Sequence, residues 1–286
     1  MNDEIAPSLS LLAEVATTAA RTAGAVLLEQ WRTGYSIKFK GDIDLVTDAD
    51  QRSEQAIASI LRAHFPDHQI LAEEGTSGGT SSDYRWIVDP LDGTTNYAHQ
   101  YPHFAVSIAL ERAGSLLVGV VYDPVLDELF EARAGEGAYL NGQPLRVSRV
   151  DRLLRALLCT GFPYDRGLFG PCLDRWEHFI RRAQAVRRDG SAALDICYVA
   201  AGRFDGYWEE HMSPWDVAAG VLMVREAGGM VTNFQGEQPD IYRGGVVASN
   251  GHIHSALLAG LAKSQPSPGL NPNGRGHPRG RRSRVG

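Results

Sequence analysis

Two aspartates near the middle of the chain flank a proline and precede a glycine and two threonines, in the stretch Asp89-Pro90-Leu91-Asp92-Gly93-Thr94-Thr95. Proline fixes its own φ and biases the preceding residue to extended geometry, so we expect Asp89 to end a strand and Asp92 to lie in the turn beyond. Gly93 permits close backbone approach, and Thr94 or Thr95 could cap a helix whose free N–H groups attract an anion. The composition favours a cation and a phosphate, but an acidic turn after a buried strand explains this stretch equally well.

Other acids recur at the ends of predicted elements. Glu73 ends a short strand, Asp50 precedes a helix, and Asp216 is the third residue of another helix, at the positions where layered α/β proteins place ligands. Helix capping is the ordinary explanation: Thr47 or Asp48 can be an N-cap, and a capping box starting at Ser213 accounts fully for Asp216. If the acids do converge, they offer oxygen only, which suits Mg²⁺ or Mn²⁺.

The sequence shows no His/Cys cluster at zinc spacing, so zinc is disfavoured. His99, His103 and His211 are isolated, and we interpret them as capping or packing residues. No serine-nucleophile elbow, Walker lysine loop or dinucleotide fingerprint is present, which disfavours covalent serine chemistry.

The composition indicates a globular protein of 286 residues, 43% hydrophobic, with a formal charge of −6 that disfavours a general nucleic-acid binder. Three cysteines with no CxxC pair fit a reducing compartment, and we expect a cytoplasmic location. The N-terminus lacks the pattern of a signal peptide, and we expect no membrane-spanning segment. The last acidic residue is Asp240, and a basic tail rich in Pro, Gly and Arg follows.

Hydrophobic periodicity predicts an α+β arrangement. Helices are expected at about 8–32, 56–64, 173–180, 191–201, 213–226 and 252–261, with strands over 69–73, 84–88, 104–111, 116–122, 128–132, 137–140, 153–160, 203–209, 230 and 246–249. Residues 36–46 are expected to form a short ribbon, and Asn141-Gly142 a tight turn. We predict one domain over 1–263, with halves at about 1–150 and 151–263, and a disordered tail over 264–286.

Three segments together resemble the inositol monophosphatase family: Glu73-Glu74, the stretch 89–97, and Trp215-Asp216-Val217-Ala218-Ala219-Gly220 with Glu226-Ala227-Gly228-Gly229 after it. The resemblance covers roughly residues 8–262 in the family's order and spacing, and the tail lies outside it. It implies a layered αβαβα sandwich, a homodimer, inhibition by lithium, and a Mg²⁺-dependent phosphatase in which water activated by the metal attacks phosphorus directly.

The resemblance also implies roles for individual residues. Glu73, Asp89 and the Leu91 carbonyl would hold one Mg²⁺, and Asp89, Asp92 and Asp216 a second; a third, weaker ion would use Glu73. The catalytic residues would be Asp50, Thr94 and Glu73. Asp50 and Thr94 would orient and deprotonate the attacking water. The implied substrate contacts are Asp92, Gly93, Thr94, Gly190, Ser191, Ala192 and Glu209.

The segment 190–209 resembles bacterial inositol monophosphatases, so we expect myo-inositol 1-phosphate as substrate. Glu209 suits a neutral polyol because a carboxylate accepts hydrogen bonds from hydroxyls, whereas Arg187 and Arg188 keep a bisphosphate such as fructose 1,6-bisphosphate open. Histidinol phosphate is a further alternative. A second class of function also remains open: an RNA- or transcription-associated role in which the basic tail contacts nucleic acid.

Overall fold

The computed structural model describes residues 7–39, 45–78 and 82–263. Seven helices and fifteen strands are assigned within them: α1 Leu9–Thr33, β1 Ile37–Phe39, β2 Leu45–Thr47, α2 Asp48–His64, β3 Gln69–Ala72, β4 Ser77–Gly78, β5 Tyr84–Asp92, α3 Thr94–Ala98, β6 Ala105–Arg112, β7 Ser115–Asp123, β8 Glu128–Arg133, β9 Gly137–Leu140, β10 Gln143–Pro144, β11 Leu157–Thr160, α4 Phe169–Ile180, β12 Ala185–Arg187, α5 Ala192–Ala200, β13 Gly206–Glu209, α6 Pro214–Glu226, β14 Met230–Thr232, β15 Val246–Ser249 and α7 His254–Lys263.

An eight-stranded sheet in the order β10-β9-β8-β7-β6-β5-β3-β4 forms the first sheet layer. Its pairs are antiparallel except β3 with β5. Alternate residues of β6 point to opposite faces, so Val106 and Ile108 enter the core under α1 and α2 whereas Ala105 and Ala109 enter the core on the other side. Helices therefore cover both faces of this sheet.

The helices α5 and α6 lie between the two sheets and form the central layer. Their residues contribute nearly half of a core that also takes in Phe130 and Ala138 of the large sheet and Tyr207 of the small sheet. The second sheet, in the order β12-β11-β13-β15-β14, is covered on its outer face by α4 and α7. The predicted layered αβαβα sandwich is confirmed.

Helix α1 is long and apolar enough to span a membrane by length and composition, contrary to the expectation from the sequence. Its buried face, which includes Leu12, Ala16 and Leu27, packs on α2 and on the large sheet. The alternation of buried and exposed residues is that of an amphipathic core helix.

Several predicted boundaries are corrected. The strand expected at 153–160 begins only at Leu157, because residues 153–155 form a 3-10 turn, and strand β12 was missed. The Asn141-Gly142 turn is confirmed, with positive φ at both residues. The ribbon is confirmed where it is described, with β1 antiparallel to β2. The predicted disordered tail, 264–286, lies outside the described residues, and the domain boundary at 263 stays a prediction.

Candidate active site

Strand β5 brings Asp89 and Asp92 to the same side of the sheet by means of a bulge. The prediction that Asp89 ends the strand and Asp92 lies in the turn is wrong, because β5 continues to Asp92. Asp89 pairs with Ser107 and Asp92 with Ala105, so three steps along β5 match two steps along β6. In a regular strand, residues three apart point to opposite faces, and the extra residue restores a common side. Pro90 fits there because it has no N–H to donate.

Asp216 reaches the same point from the central layer. One carboxylate oxygen from each of Asp89, Asp92 and Asp216 lies within 4.8 Å of the others. The capping box predicted for α6 is confirmed, since Ser213 N–H donates to Asp216 Oδ2 at 2.7 Å. Capping and membership of the acid cluster are therefore compatible in one side chain.

The ionised forms of these carboxyl groups are unfavourable because the groups are buried and lie close to one another. Burial raises the pKa of Asp89 well above its usual range, and the nearby charges of Glu73, Asp92 and Asp216 raise it further. Burial, followed by the charge of Asp92, likewise raises the pKa of Asp216. Burial raises the pKa of Asp92 to about 6, although two hydrogen bonds oppose the shift.

Two residues of α2 that the sequence analysis did not single out, Ser53 and Glu54, fix the backbone on which the acid cluster lies. Ser53 on α2 donates its hydroxyl to the Pro90 carbonyl at 2.7 Å. The buried carboxylate of Glu54 accepts the N–H groups of Glu74 and Thr76, both at 2.8 Å, and so fixes the loop that carries Glu73. A sequence signal existed, because Ser53 and Glu54 occupy the helical face that Ile57 and Leu61 continue into the core.

Asp50 and Thr94 meet beneath the cluster, as the resemblance implied. Thr94 Oγ1 lies 3.3 Å from Asp50 Oδ1 and 3.0 Å from the Leu91 carbonyl oxygen, which it can also donate to. Asp50 completes a capping box at the start of α2, where its Oδ2 accepts from Thr47 N–H at 2.8 Å. Burial raises the pKa of Asp50 to about 6, against the hydrogen bond from Thr47.

The cap of α3 differs from the prediction. Gly93 is the N-cap in left-handed conformation, with φ of 91°, so neither Thr94 nor Thr95 caps the helix. A Cβ at Gly93 would also lie 3.1 Å from the His103 carbonyl oxygen and 3.3 Å from the Gly190 carbonyl oxygen. The glycine thus allows the loop before α5 to approach the acid cluster.

The N-terminus of α5 is attached to Asp92. Ser191 donates its hydroxyl to Asp92 Oδ2, and Ala193 N–H donates to the same oxygen at 3.0 Å. Ser191 is fully buried, so its hydroxyl positions Asp92, and its expected contact with substrate stays a prediction. Asn96 adds a second tie from α3, since its amide donates to the Asp189 carbonyl at 2.8 Å.

A cavity of about 390 Å³ opens over these groups. Its walls include the predicted site residues Glu73, Asp92, Gly93, Gly190, Ser191, Ala192, Glu209 and Asp216. They also include Arg188, which the sequence analysis linked to a bisphosphate substrate, and Gly161 and Tyr164, which it did not link to the site. Burial raises the pKa of Glu209 to about 7, opposed by a hydrogen bond from the Tyr207 hydroxyl at 2.5 Å. A Cβ at residue 161 would lie 1.9 Å from Glu209 Oε2, so a glycine there is required for this placement.

The donor set fits a hard divalent cation. Three converging carboxylates, the neighbouring Glu73 and the Leu91 carbonyl are all oxygen donors, which Mg²⁺ and Mn²⁺ prefer. Burial and then the repulsion between neighbouring carboxylates raise these pKa values, and a bound cation would offset both effects. The layered αβαβα fold and this oxygen-lined pocket together fit the class of metal-dependent hydrolases.

Comparison with known proteins narrows that class. The profile of the Inositol monophosphatase family matches residues 8–267. An inositol-1-monophosphatase of Synechocystis sp. is 45% identical over 252 residues, 87% of this chain and 88% of that protein. A Nus factor SuhB of Pasteurella multocida is 45% identical over 248 residues, 85% of this chain and 93% of that protein.

Solved structures agree. The inositol monophosphatase of Anabaena (Nostoc) sp. PCC 7120 superposes with a TM-score of 0.82 at 46% identity, covering 90% of this chain and 98% of that one. An IMPase/NADP phosphatase complexed with Mg²⁺ and phosphate gives a TM-score of 0.79 at 26% identity, covering 89% and 96%. The chain belongs to the inositol monophosphatase family.

Proposed function

We propose that the protein hydrolyses phosphate monoesters of a polyol, foremost myo-inositol 1-phosphate, with two or three Mg²⁺ per subunit that Mn²⁺ can replace. The observation that carries the proposal is the convergence of Asp89, Asp92 and Asp216 beside the Asp50–Thr94 pair. A relative of the same fold is described as complexed with Mg²⁺ and phosphate, which supports this ligand pair.

In this proposal, the chain positions two cations through one shared carboxylate. Asp89 is the shared ligand, with Glu73 and the Leu91 carbonyl on one side and Asp92 and Asp216 on the other. When bound, the cations would lower the pKa of water and offset the charge on the transferring phosphoryl group, whose uncatalysed hydrolysis is extremely slow. The N–H groups of Gly93 and Thr94 would hold the phosphate at the start of α3.

Asp50 would take the proton of the attacking water together with Thr94. A base is most effective when its pKa lies near the working pH, and Asp50, with a pKa of about 6, meets this condition. Its buried position beside the Thr94 hydroxyl fixes the direction of proton transfer. Direct attack of water needs no phosphoenzyme.

Glu209 is proposed to select a hydroxyl-rich substrate. It lies on the wall of the cavity together with Asp92 and with the residues at the start of α5. Its carboxylate can accept hydrogen bonds from hydroxyls and would repel a second phosphate. Arg188 lines the same cavity and favours a bisphosphate, which keeps fructose 1,6-bisphosphate as the competing substrate.

We expect Glu209→Gln to lower kcat/KM for inositol 1-phosphate by about 10- to 100-fold, since a hydrogen bond to a charged group contributes roughly 1.5–3 kcal/mol. The loss should appear mainly in KM. Steady-state kinetics with p-nitrophenyl phosphate, which has no sugar hydroxyls, provide the matched control and should change less than threefold. Equal losses on both substrates would contradict a role in hydroxyl recognition.

The proposed function is tested by measuring phosphate release from four esters in parallel: inositol 1-phosphate, fructose 1,6-bisphosphate, histidinol phosphate and 3′-phosphoadenosine 5′-phosphate. We expect the highest kcat/KM for inositol 1-phosphate, abolished by chelation of Mg²⁺. A clear preference for any other ester would overturn the substrate assignment, and activity that survives chelation would overturn the metal assignment.

A regulatory function is a second candidate, favoured by the similarity to proteins named Nus factor. The basic tail, 264–286, is the segment whose composition suits RNA. If the tail binds RNA, its deletion should abolish binding that weakens steeply as salt is raised. Absent or unchanged binding in a gel-shift titration would reject the idea.

Family membership also supports three further proposals: a homodimer, inhibition by lithium, and a cytoplasmic location. The last agrees with the free state of Cys159, Cys172 and Cys197.

A further inference from the structure

His103 is not the isolated packing residue that the sequence suggested. It lies in the loop before β6, and its ring faces Asp195 in the first turn of α5. Asp189, in the loop before α5, approaches from the other side. One ligand atom from each of the three residues lies within 4.8 Å of the other two. Three segments distant in sequence therefore place an imidazole and two carboxylates together.

The contact between His103 and Asp195 is too long for a hydrogen bond. The distance from Nε2 to Oδ1 is 3.7 Å, whereas hydrogen bonds of this type measure about 2.7–3.2 Å. Both atoms are buried, and neither has a hydrogen-bond partner among the described residues. Asp195 is only 1% exposed, and its ion pair with His103 leaves Oδ1 without a hydrogen bond, so a further group bound at this oxygen would be stabilising.

A four-coordinate metal ion would complete it. Ligands about 2.1 Å from a tetrahedral ion lie about 3.4 Å from one another, close to the observed 3.7 Å. Imidazole together with carboxylate suits Zn²⁺ and similar transition ions rather than Mg²⁺.

The fourth position of a tetrahedral ion would be left to water. The sulfur of Cys159 on β11 is not among the ligand atoms that converge with those of His103 and Asp189, and burial raises the pKa of its thiol, which keeps it protonated. A set that includes an imidazole nitrogen still differs in kind from the oxygen-only cluster around Asp89.

We propose that His103, Asp189 and Asp195 form a second metal site for a transition ion of the Zn²⁺ class, with water as the fourth ligand. The site goes beyond the proposed phosphatase function and does not depend on it. A bound ion would link the loop before β6 to the N-terminus of α5. That N-terminus holds Asp92 through Ala193 N–H, so occupancy would stiffen one wall of the cavity.

The test uses Co²⁺ as a spectroscopic probe in the full chain carrying Asp89→Asn, which removes the shared carboxylate of the first site. We expect one equivalent of Co²⁺ to give visible bands of four-coordinate intensity. Zn²⁺ should displace it, and excess Mg²⁺ should not. In the same background, His103→Gln should weaken binding more than about tenfold, since even loss of an outer partner of a metal ligand weakens binding 10- to 100-fold.

His99→Gln is the matched control, because His99 is exposed near the same loop and should leave the spectrum unchanged. Asp195→Asn, with circular dichroism to verify folding, provides the second ligand variant. Absence of stoichiometric Co²⁺ binding, or binding unaffected by both ligand variants, would overturn the site. The test measures light absorption by bound Co²⁺, so its result does not depend on whether the chain shows phosphatase activity.

Discussion

Asp89→Asn is expected to lower kcat by roughly 10³-fold or more and to abolish the rise in melting temperature that Mg²⁺ causes in the unmodified chain. Two cations share this carboxylate in the proposed mechanism, and metal stabilisation of the transition state contributes several kcal/mol at about 1.4 kcal/mol per tenfold in rate. In the unmodified chain, Mg²⁺ at 100 times its Kd should add about 2.7 kcal/mol of stability. Steady-state kinetics and thermal melts with and without Mg²⁺ measure both effects.

The same variant also tests whether ionisation of the buried carboxylates lowers the stability of the metal-free chain. A carboxyl whose folded-state pKa is raised contributes stability at low pH that is lost as pH rises through that pKa. Burial raises the pKa of Asp92 to about 6 and, together with neighbouring charges, raises that of Asp89 well above its usual range. The metal-free chain should therefore lose stability as pH rises from about 4, the usual pKa of an aspartate, through 6, and the titration of Asp89 should extend the loss to higher pH. Metal-free Asp89→Asn should lose less and melt no lower than the unmodified chain at pH 7.5.

The exposed Asp67 provides the control, since Asp67→Asn should change neither kcat nor the Mg²⁺-dependent melting shift. Retention of more than a tenth of the activity by Asp89→Asn would contradict the shared-ligand mechanism. A Mg²⁺-induced shift of unchanged size in this variant would contradict the metal site itself.

Sequence periodicity predicted an α+β arrangement, whereas the layered sandwich and the convergence of the acids were implied by the family resemblance. Local patterns alone did not single out Asp89, Asp92 and Asp216, because an acidic turn or a capping box explains each of them without a metal. The detailed geometry of β5 was not predictable in the same way. A bulge depends on how a strand pairs with its partner, and the residues of β5 alone do not determine the register of its pairing with β6.

The roles that were not predicted belong to residues whose partners lie far along the chain. Ser191 was expected to contact substrate, but its hydroxyl donates to Asp92, 99 positions away. The ring of His103 meets Asp195 only because α5 packs beside the loop that precedes β6. The absence of a compact zinc pattern was therefore uninformative about a site assembled from three segments. Glu54 could have been predicted from the sequence, since an acid on the buried face of α2 requires a buried hydrogen-bond partner.

Removing the proposed base should separate proton transfer from metal binding. We expect Asp50→Asn to lower kcat by about 10²- to 10⁴-fold while KM and the Mg²⁺-dependent melting shift stay close to those of the unmodified chain. Asp50 lies beside Thr94 and outside the converging trio, so its loss leaves the cluster of Asp89, Asp92 and Asp216 complete. In the unmodified enzyme, kcat should rise with pH as Asp50 deprotonates, with the midpoint lowered from about 6 when nearby cations are bound.

Thr94→Val should produce a loss of the same order, and the double variant should be little worse than either single one, because the two groups act as a unit. Thr94→Ser keeps the hydroxyl and should retain most of the activity. Asp48→Asn is the matched control for the helix terminus: Asp48 begins α2 and accepts Ser36 N–H at 2.8 Å, away from the site. A merely structural role for Asp50 would reduce melting temperature in proportion to activity. A fully additive double variant, or a loss confined to KM, would likewise reject the Asp50–Thr94 pair as the group that accepts the proton of water.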